Sequence, residues 1–157
     1  PMPGPFGHEW SGEVAKAGAG ATFREGDAVM GVHTAPCGRC AWCVRGQDNL
    51  CETIMATMVL GSYAEFLLIP ERIASRHVFP NPPSLPFAAA SLLEPLSSVT
   101  QGVLALPRLA PAKGDALVIG PGAIGLMWGA VLRREGWGVT IAGRNPERLA
   151  AARAMDL

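Results

Sequence analysis

The sequence predicts an α/β chain in two parts, a β-rich first part that carries a cysteine lobe and then the opening of a doubly wound parallel sheet. Short apolar runs broken by glycine fill the first third, and all four cysteines crowd into residues 37–51. Beyond Lys113-Gly114-Asp115 the pattern becomes strand, glycine turn, helix, strand and helix. With 157 residues and 49% hydrophobic content, the chain can bury one ordinary core or most of two small ones.

Taken in order, residues 9–17 and 27–32 read as antiparallel strands, separated by the turns at Gly18-Ala19-Gly20 and Arg24-Glu25-Gly26. Residues 36–51 are too punctuated by Gly38 and Gly46 for a regular element, so this lobe takes its shape from what its thiols bind. Residues 63–69 read as a further strand. Pro80, Pro82, Pro83 and Pro86 stop any sheet ladder and prepare a helix over 87–106, which Pro95 must kink or restart and which Pro107 and Pro111 end. Strands at 116–119 and 139–142 then alternate with helices at 123–135 and 146–155. A doubly wound nucleotide domain needs about six strands, and the chain opens on Pro1 just ahead of a metal motif, so it is expected to be an excerpt at both ends.

Thirteen basic residues balance thirteen acidic ones, leaving no net field to hold a nucleic-acid backbone or an anionic membrane surface. No apolar run reaches the roughly 18–20 residues that span a bilayer, and no secretory signal opens the chain. A cytoplasmic protein with neither nucleic-acid nor membrane partners is expected.

Clustering of the cysteines favours metal over disulfides, which in a chain of this size would spread their links. Cys37, Cys40, Cys43 and Cys51 follow C-x2-C-x2-C-x7-C, and four thiolates in a reducing compartment suit tetrahedral Zn2+ in a closed, structural site. An iron–sulfur cluster is the alternative, but the bacterial ferredoxin run places its last cysteine closer and follows it with proline. Free buried thiols are opposed by the interleaved Arg39, Arg45, Gln47, Asp48 and Asn49. A nucleic-acid-binding zinc finger is opposed by neutral charge and by the lack of a paired downstream motif.

A lone histidine in an apolar strand is more often a core residue than a ligand, but His8 has company. The run Gly7-His8-Glu9-Trp10-Ser11-Gly12-Glu13-Val14, then Gly18, then Gly26-Asp27-Ala28-Val29, then the cysteine lobe, resembles the zinc-containing medium-chain alcohol and polyol dehydrogenases over essentially the whole chain. Ala90-Ser91-Leu92-Leu93-Glu94-Pro95-Leu96-Ser97 resembles the sorbitol, threonine and glucose dehydrogenase branch, where a glutamate before Pro-Leu replaces the cysteine of other alcohol dehydrogenases. The resemblance implies that His8 is a ligand of a catalytic zinc, that Glu9 is a ligand or supports one from beside it, and that Glu94 is a ligand or holds the zinc-bound water. Adjacent strand residues point to opposite faces, which favours the supporting role for Glu9. Taken alone, Glu94 also reads as a helix-end carboxylate beside a proline. His33 and His77 match no motif and read as surface or loop residues, and Trp10, Trp128 and Trp137 as packing, with Trp10 also placed to line a pocket.

Gly120-Pro121-Gly122-Ala123-Ile124-Gly125 is G-x-G-x-x-G, weak alone in a chain with 19 glycines but stronger where it follows a strand and opens a helix. Gly120 permits the tight turn, Gly122 lets backbone approach a pyrophosphate, Ala123 and Ile124 begin the helix, and Gly125 lets helix and strand pack closely. The acid that would hold the ribose hydroxyls of NAD is absent. Gly143 and Arg144 stand there instead, resembling family members that accept the 2'-phosphate of NADP, with Arg148 as a second cation. Read without the family, Arg144 is a solvated arginine at a strand end.

The resemblance therefore implies a partial GroES-like catalytic domain at 1–85 with its zinc lobe at 36–51, a connecting helical segment at 86–112, and the N-terminal part of a Rossmann NAD(P)-binding domain at 113–157. It implies hydride transfer between a secondary alcohol, polyol or sugar and NADP or NAD, in a homo-oligomer when intact. The family's remaining catalytic cysteine and proton-relay hydroxyl precede Pro1, so this excerpt is expected to be inactive alone. Two other readings stay open: a non-catalytic zinc module for protein or nucleic-acid contact, and a zinc-free reductase of the same superfamily.

Overall fold

A computed structural model describes residues 4–108 and 112–157. Pro111, expected to help end the second helix, lies outside those residues. The chain divides into two compact units, Pro1–Glu94 and Pro95–Leu157. That boundary falls inside the segment expected to connect two domains.

In the first unit, β1 (Trp10–Glu13), β2 (Ala28–Gly31) and β3 (Val78–Pro80) form an antiparallel sheet in the order β1-β2-β3. Both expected strands exist, but shorter. Beyond Glu13 the pairing survives only as a turn closure, in which Val14 N–H donates to Asp27 O (3.0 Å) and Gly26 N–H to Val14 O (2.9 Å). Trp10 pairs with Gly31 across the ladder. A Cβ at Gly31 would run into the Trp10 ring and come within 2.9 Å of His77 O, so the glycine makes room for the indole.

Residues 63–69 form no strand. The apolar run there has no ladder partner among the described residues, and Tyr63, Phe66 and Leu68 are exposed. Apolar content alone does not make a strand, which requires a neighbour to take its backbone hydrogen bonds. Two elements lie where the sequence suggested none. Helix α2 (Glu71–His77) starts from Pro70, places Glu71 in its first turn and Arg76 and His77 in its last, and buries Ile73 completely; those charges suit the helix dipole. It runs straight into β3, which Pro80 ends.

The cysteine lobe holds more regular structure than expected. A single helical turn, α1 (Ala41–Val44), and 3-10 turns at Asp48–Leu50 and Met55–Thr57 shape it. In the segment after the prolines, Pro86 caps α3 (Phe87–Ala90) and a new helix, α4 (Leu93–Ala105), begins. The interruption falls at Ser91 and Leu92, ahead of Glu94, because Pro95 in a first turn lacks only an N–H that would have no helical partner there. Ser11 Oγ donates to Phe87 O at 2.6 Å and ties α3 to β1.

In the second unit, β4 (Asp115–Ile119) and β5 (Gly138–Ala142) pair in parallel, with α5 (Ala123–Arg134) between them in sequence and α6 (Pro146–Ala154) after them. These four elements match the expected ones to within a residue at each end. Val99, Val103 and Leu132 are buried together, with Ala116 and Val118 from β4, Val139 from β5, and Trp128 and Trp137 packed on them. Trp128 crosses Gly102, where a Cβ would meet its ring. The short parallel sheet with its glycine turn is the start of a Rossmann fold.

Candidate metal centres and nucleotide turn

None of the four cysteines is in a disulfide. Their sulfurs lie within 4.8 Å of one another, Cys37 to Cys43 at 3.9 Å and Cys40 to Cys43 at 3.5 Å. Zn–S bonds of about 2.3 Å give a tetrahedral edge of about 3.8 Å, so these spacings are those of a thiolate cage. Gly38, with φ at +73°, turns the chain between Cys37 and Cys40. Cys40 precedes α1, Cys43 lies on it, and Cys51 follows the next 3-10 turn.

Backbone N–H groups point at the sulfurs, as thiolates require. Cys37 N–H donates to Cys51 Sγ (3.2 Å) and Cys40 N–H to Cys37 Sγ (3.3 Å). Arg72, from α2, reaches in with one nitrogen 3.5 Å from Cys51 Sγ and another 3.0 Å from Thr53 Oγ1. Four thiolates around Zn2+ leave excess negative charge, which this guanidinium offsets. Burial raises the Cys51 thiol, but hydrogen bonds at Cys37 and Thr53 outweigh it and bring it down to about 6. Burial pushes Cys43 up to about 12, with the neighbouring thiols adding to the rise. Hydrogen bonds at Cys43 and Glu52 lower Cys40.

The second group joins His8, His33 and Glu94, whose donor atoms also lie within 4.8 Å of one another. His8 Nε2 is 3.8 Å from one Glu94 oxygen and His33 Nδ1 is 3.7 Å from the other. The two imidazole centroids are 4.5 Å apart. His8 precedes β1, His33 lies just past β2, and Glu94 sits in the first turn of α4. Gly7, at φ +85°, brings the chain against Ser62 and Tyr63 where no Cβ would fit, and this sets the approach of His8. Zinc bonds to nitrogen and oxygen of about 2.0–2.1 Å give an edge near 3.4 Å, a few tenths shorter than these separations. His33 Nδ1 is buried and has no hydrogen-bond partner among the described residues, so the chemistry of the donor set fits a metal ion. Burial lowers the His33 pKa first and His8 lowers it further, against an opposing pull from Glu94. A neutral imidazole is the form that ligates metal.

Sequence reasoning assigned His33 no role, yet it stands with His8 and Glu94. The available signal was periodicity: Val29 and Gly31 are buried on one side of β2, and a step of two carries that side to His33. Glu9 is exposed and outside this group, lining with Phe6, Gly7, His8, Ser62, Tyr63 and Ser91 a cleft of 510 Å³. His77 Nδ1–H donates to Thr34 O at 2.6 Å, a structural contact.

At the glycine turn, Gly120 adopts φ +107° and its N–H donates to Ala142 O (2.8 Å). Gly122 caps α5, so Ala123 and Ile124 begin the helix with their N–H groups at its positive end. A Cβ at Gly125 would strike Gly120 O, and one at Gly143 would strike the Pro121 ring. The two glycines therefore let the turn, α5 and the end of β5 close on one another. Arg144 and Arg148 are exposed beside this turn, at the start of α6.

The alcohol dehydrogenase GroES-like domain family matches residues 1–81. The ketopantoate reductase family PanE/ApbA matches residues 116–157, the β4-α5-β5-α6 stretch. An L-threonine 3-dehydrogenase of Rhizobium rhizogenes (strain K84) is 34% identical over all of this chain and 45% of its own length. A D-altritol 5-dehydrogenase of Agrobacterium fabrum (strain C58) is 38% identical over 96% of this chain and 45% of its own. Among solved structures, a zinc-binding dehydrogenase from Sinorhizobium meliloti 1021, bound to NADP, superposes with a TM-score of 0.80 at 27% identity, over 98% of this chain and 45% of that one. The chain thus spans slightly under half the length of the curated relatives it matches. With both motifs of the first unit seated inside the matched domain, the chain belongs to the zinc-type medium-chain alcohol, polyol and threonine dehydrogenase family, through its GroES-like domain.

Proposed function

We propose that the protein is a zinc-dependent oxidoreductase that moves hydride between a secondary alcohol, polyol or sugar and NADP, with NAD as the weaker cofactor. The observation that carries this reading is the convergence of His8 and Glu94, from opposite ends of the first unit, to 3.8 Å. In this reading 1–85 is the catalytic domain, 86–112 the connection and 113–157 the opening of the nucleotide domain, within a cytoplasmic homo-oligomer. Cys37, Cys40, Cys43 and Cys51 hold a structural zinc, and their closed N–H-decorated cage leaves no position for substrate.

His8 and Glu94 hold the catalytic ion, and Glu9, on the wall of the same cleft, orients the site from beside it. When bound, zinc supplies Lewis acidity that lowers the pKa of an alcohol oxygen. Ser62 and Ser91 line that cleft with Tyr63 and Phe6, a lining of hydroxyls and aromatic faces that suits a small polyhydroxy substrate. Gly120, Gly122, Ala123, Ile124 and Gly125 seat the pyrophosphate against the start of α5. Gly143 keeps the end of β5 clear, and Arg144, with Arg148, pairs with the 2'-phosphate. The dehydrogenase and NADP named for the relatives and the superposed structure support this assignment.

The test is alcohol-dependent reduction of NADP and NAD by the intact protein across a panel of secondary alcohols, polyols and sugars. Activity that Glu94→Gln abolishes, with Arg144→Gln costing about tenfold in NADP affinity and little in NAD affinity, is the expected result. Equal affinity of the intact protein for both cofactors overturns the NADP assignment. Tight NADP binding without turnover on any member of the panel overturns the substrate class.

A further inference from the structure

We propose that Arg72, which lies outside the cysteine lobe, is a positioning residue for it: its guanidinium is the fixed counter-charge at Cys51 and governs how firmly the lobe keeps its zinc. The proposal rests on the reading that Cys37, Cys40, Cys43 and Cys51 hold zinc, and assigns part of that zinc's retention to a helix that follows the lobe.

Both arms of the guanidinium reach one corner of the cage. One nitrogen lies 3.5 Å from Cys51 Sγ and the other 3.0 Å from Thr53 Oγ1, and that hydroxyl is itself 3.7 Å from the same sulfur. Cys51 is the buried member of the four, so water screens charge least at this corner. Among the described residues no carboxylate lies within ion-pair distance of Arg72, and its Nε is buried without a hydrogen-bond partner. A partly buried cation without a carboxylate is costly, and the excess negative charge of four thiolates around Zn2+ is the partner this one has. The lobe's own arginines stand elsewhere: Arg45 lies over the Trp42 ring, 5.9 Å from its centroid, and Arg39 is exposed.

Helix α2 holds that arm in place. Ile73, the next residue, is fully buried. At the end of the helix, His77 O accepts from Val32 N–H (3.0 Å) and His77 Nδ1–H donates to Thr34 O (2.6 Å), which pins α2 to the segment leading into Cys37. Arg76, one turn on from Arg72, also reaches the lobe, but its guanidinium sits against Gly38, where a Cβ would come within 2.9 Å of it. A packing role alone accounts for this less well, because packing gives no reason for a charged fork to end on a ligand atom and the hydroxyl beside it. The loaded cage is anionic and the emptied one is not, so a fixed cation against Cys51 favours the loaded state.

The experiment fills the lobe of the full chain with Co2+ for spectroscopy, and with Zn2+ for release to a chromogenic chelator. All four cysteines of this chain stand in the lobe, so the thiolate-to-cobalt charge-transfer band reports this site alone. Arg72→Gln is expected to move that band to lower energy, because a sulfur that loses its cation gives up an electron more readily, and to speed zinc release at least about tenfold. Arg76→Gln is expected to leave the band in place. Faster release from Arg72→Gln with an unmoved band makes Arg72 a packing residue and overturns the proposal. A band shift of equal size in Arg76→Gln also overturns it, since the general field of the arginines then explains the effect without the contact. Wild-type release from Arg72→Gln overturns it as well. Arg72→Met, which keeps the apolar stem, gives the same two readings if Arg72→Gln fails to fold. Wild type without a thiolate-to-cobalt band overturns the zinc reading of the cysteines, and the proposal with it, so the wild-type band keeps the two failures apart.

Discussion

His33 Nδ1 lies 3.7 Å from Glu94 Oε1, one residue leaving a strand and the other opening a helix. Burial lowers the His33 pKa, His8 lowers it further, and Glu94 only partly offsets both. In the unfolded chain the same ring titrates at about 6.5. The unfolded state therefore binds the proton first, so this contribution to stability is present above about pH 6.5 and is lost as pH falls below that, until the lower folded pKa is passed. Urea midpoints of metal-free protein, taken between about pH 7.5 and 5, should fall on acidification and fall less in His33→Gln. Identical slopes in the two proteins would show that His33 stays accessible to protons when folded.

Cys43 is the sulfur 3.9 Å from Cys37 and 3.5 Å from Cys40, and burial makes its thiol reluctant to ionise where those of Cys40 and Cys51 ionise more readily than usual. Cys43→Ser should weaken zinc binding by the lobe by at least about tenfold. Chelation of wild type should strip the zinc of the lobe as its four thiols become reactive, with the loss of ordered structure across 36–51. Elemental analysis with thiol titration checks this, and four reactive thiols before chelation would contradict the cage.

Gly125 meets the carbonyl of Gly120 where a side chain would have to go, and that neighbour is backbone, which cannot swing aside. Gly125→Ala should push α5 off the turn, costing about 1–3 kcal/mol in the second unit and at least about tenfold in NADP affinity. Titration of protein fluorescence with NADP reads the second effect. Wild-type affinity in the variant would mean that the turn relaxes without harm.

Asn145 caps α6, its Oδ1 accepting from Arg148 N–H at 2.9 Å, with Pro146 beginning the helix. Asn145→Ala should cost about 0.5–2 kcal/mol of stability by urea denaturation, while Asn145→Asp should cost little. Equal losses in both variants would point away from capping.

The second unit was legible because its signals are local. A glycine turn that follows a strand and opens a helix, and a capping Asn-Pro pair, act within a few residues of themselves, so β4, α5, β5 and α6 lie where the pattern places them. The first unit was less so. Residues 63–69 read as an apolar strand but have no ladder partner among the described residues, α2 is too short to show a helical period, and the restart of α4 is set by Pro95 fitting a first turn.

By itself the sequence determined the family, the four-cysteine lobe, the glycine turn and two of the three donors in the second cluster, His8 and Glu94, because those depend on residue type at close spacing or on a recognisable motif. Only the tertiary structure decided that His33 joins them and that Glu9 does not. A single histidine carries no pattern, and its partners lie far away along the chain. It joins the cluster only when the end of β2, the approach to β1 and the first turn of α4 bring three side-chain atoms within 4.8 Å and leave its buried nitrogen facing a carboxylate without a hydrogen bond.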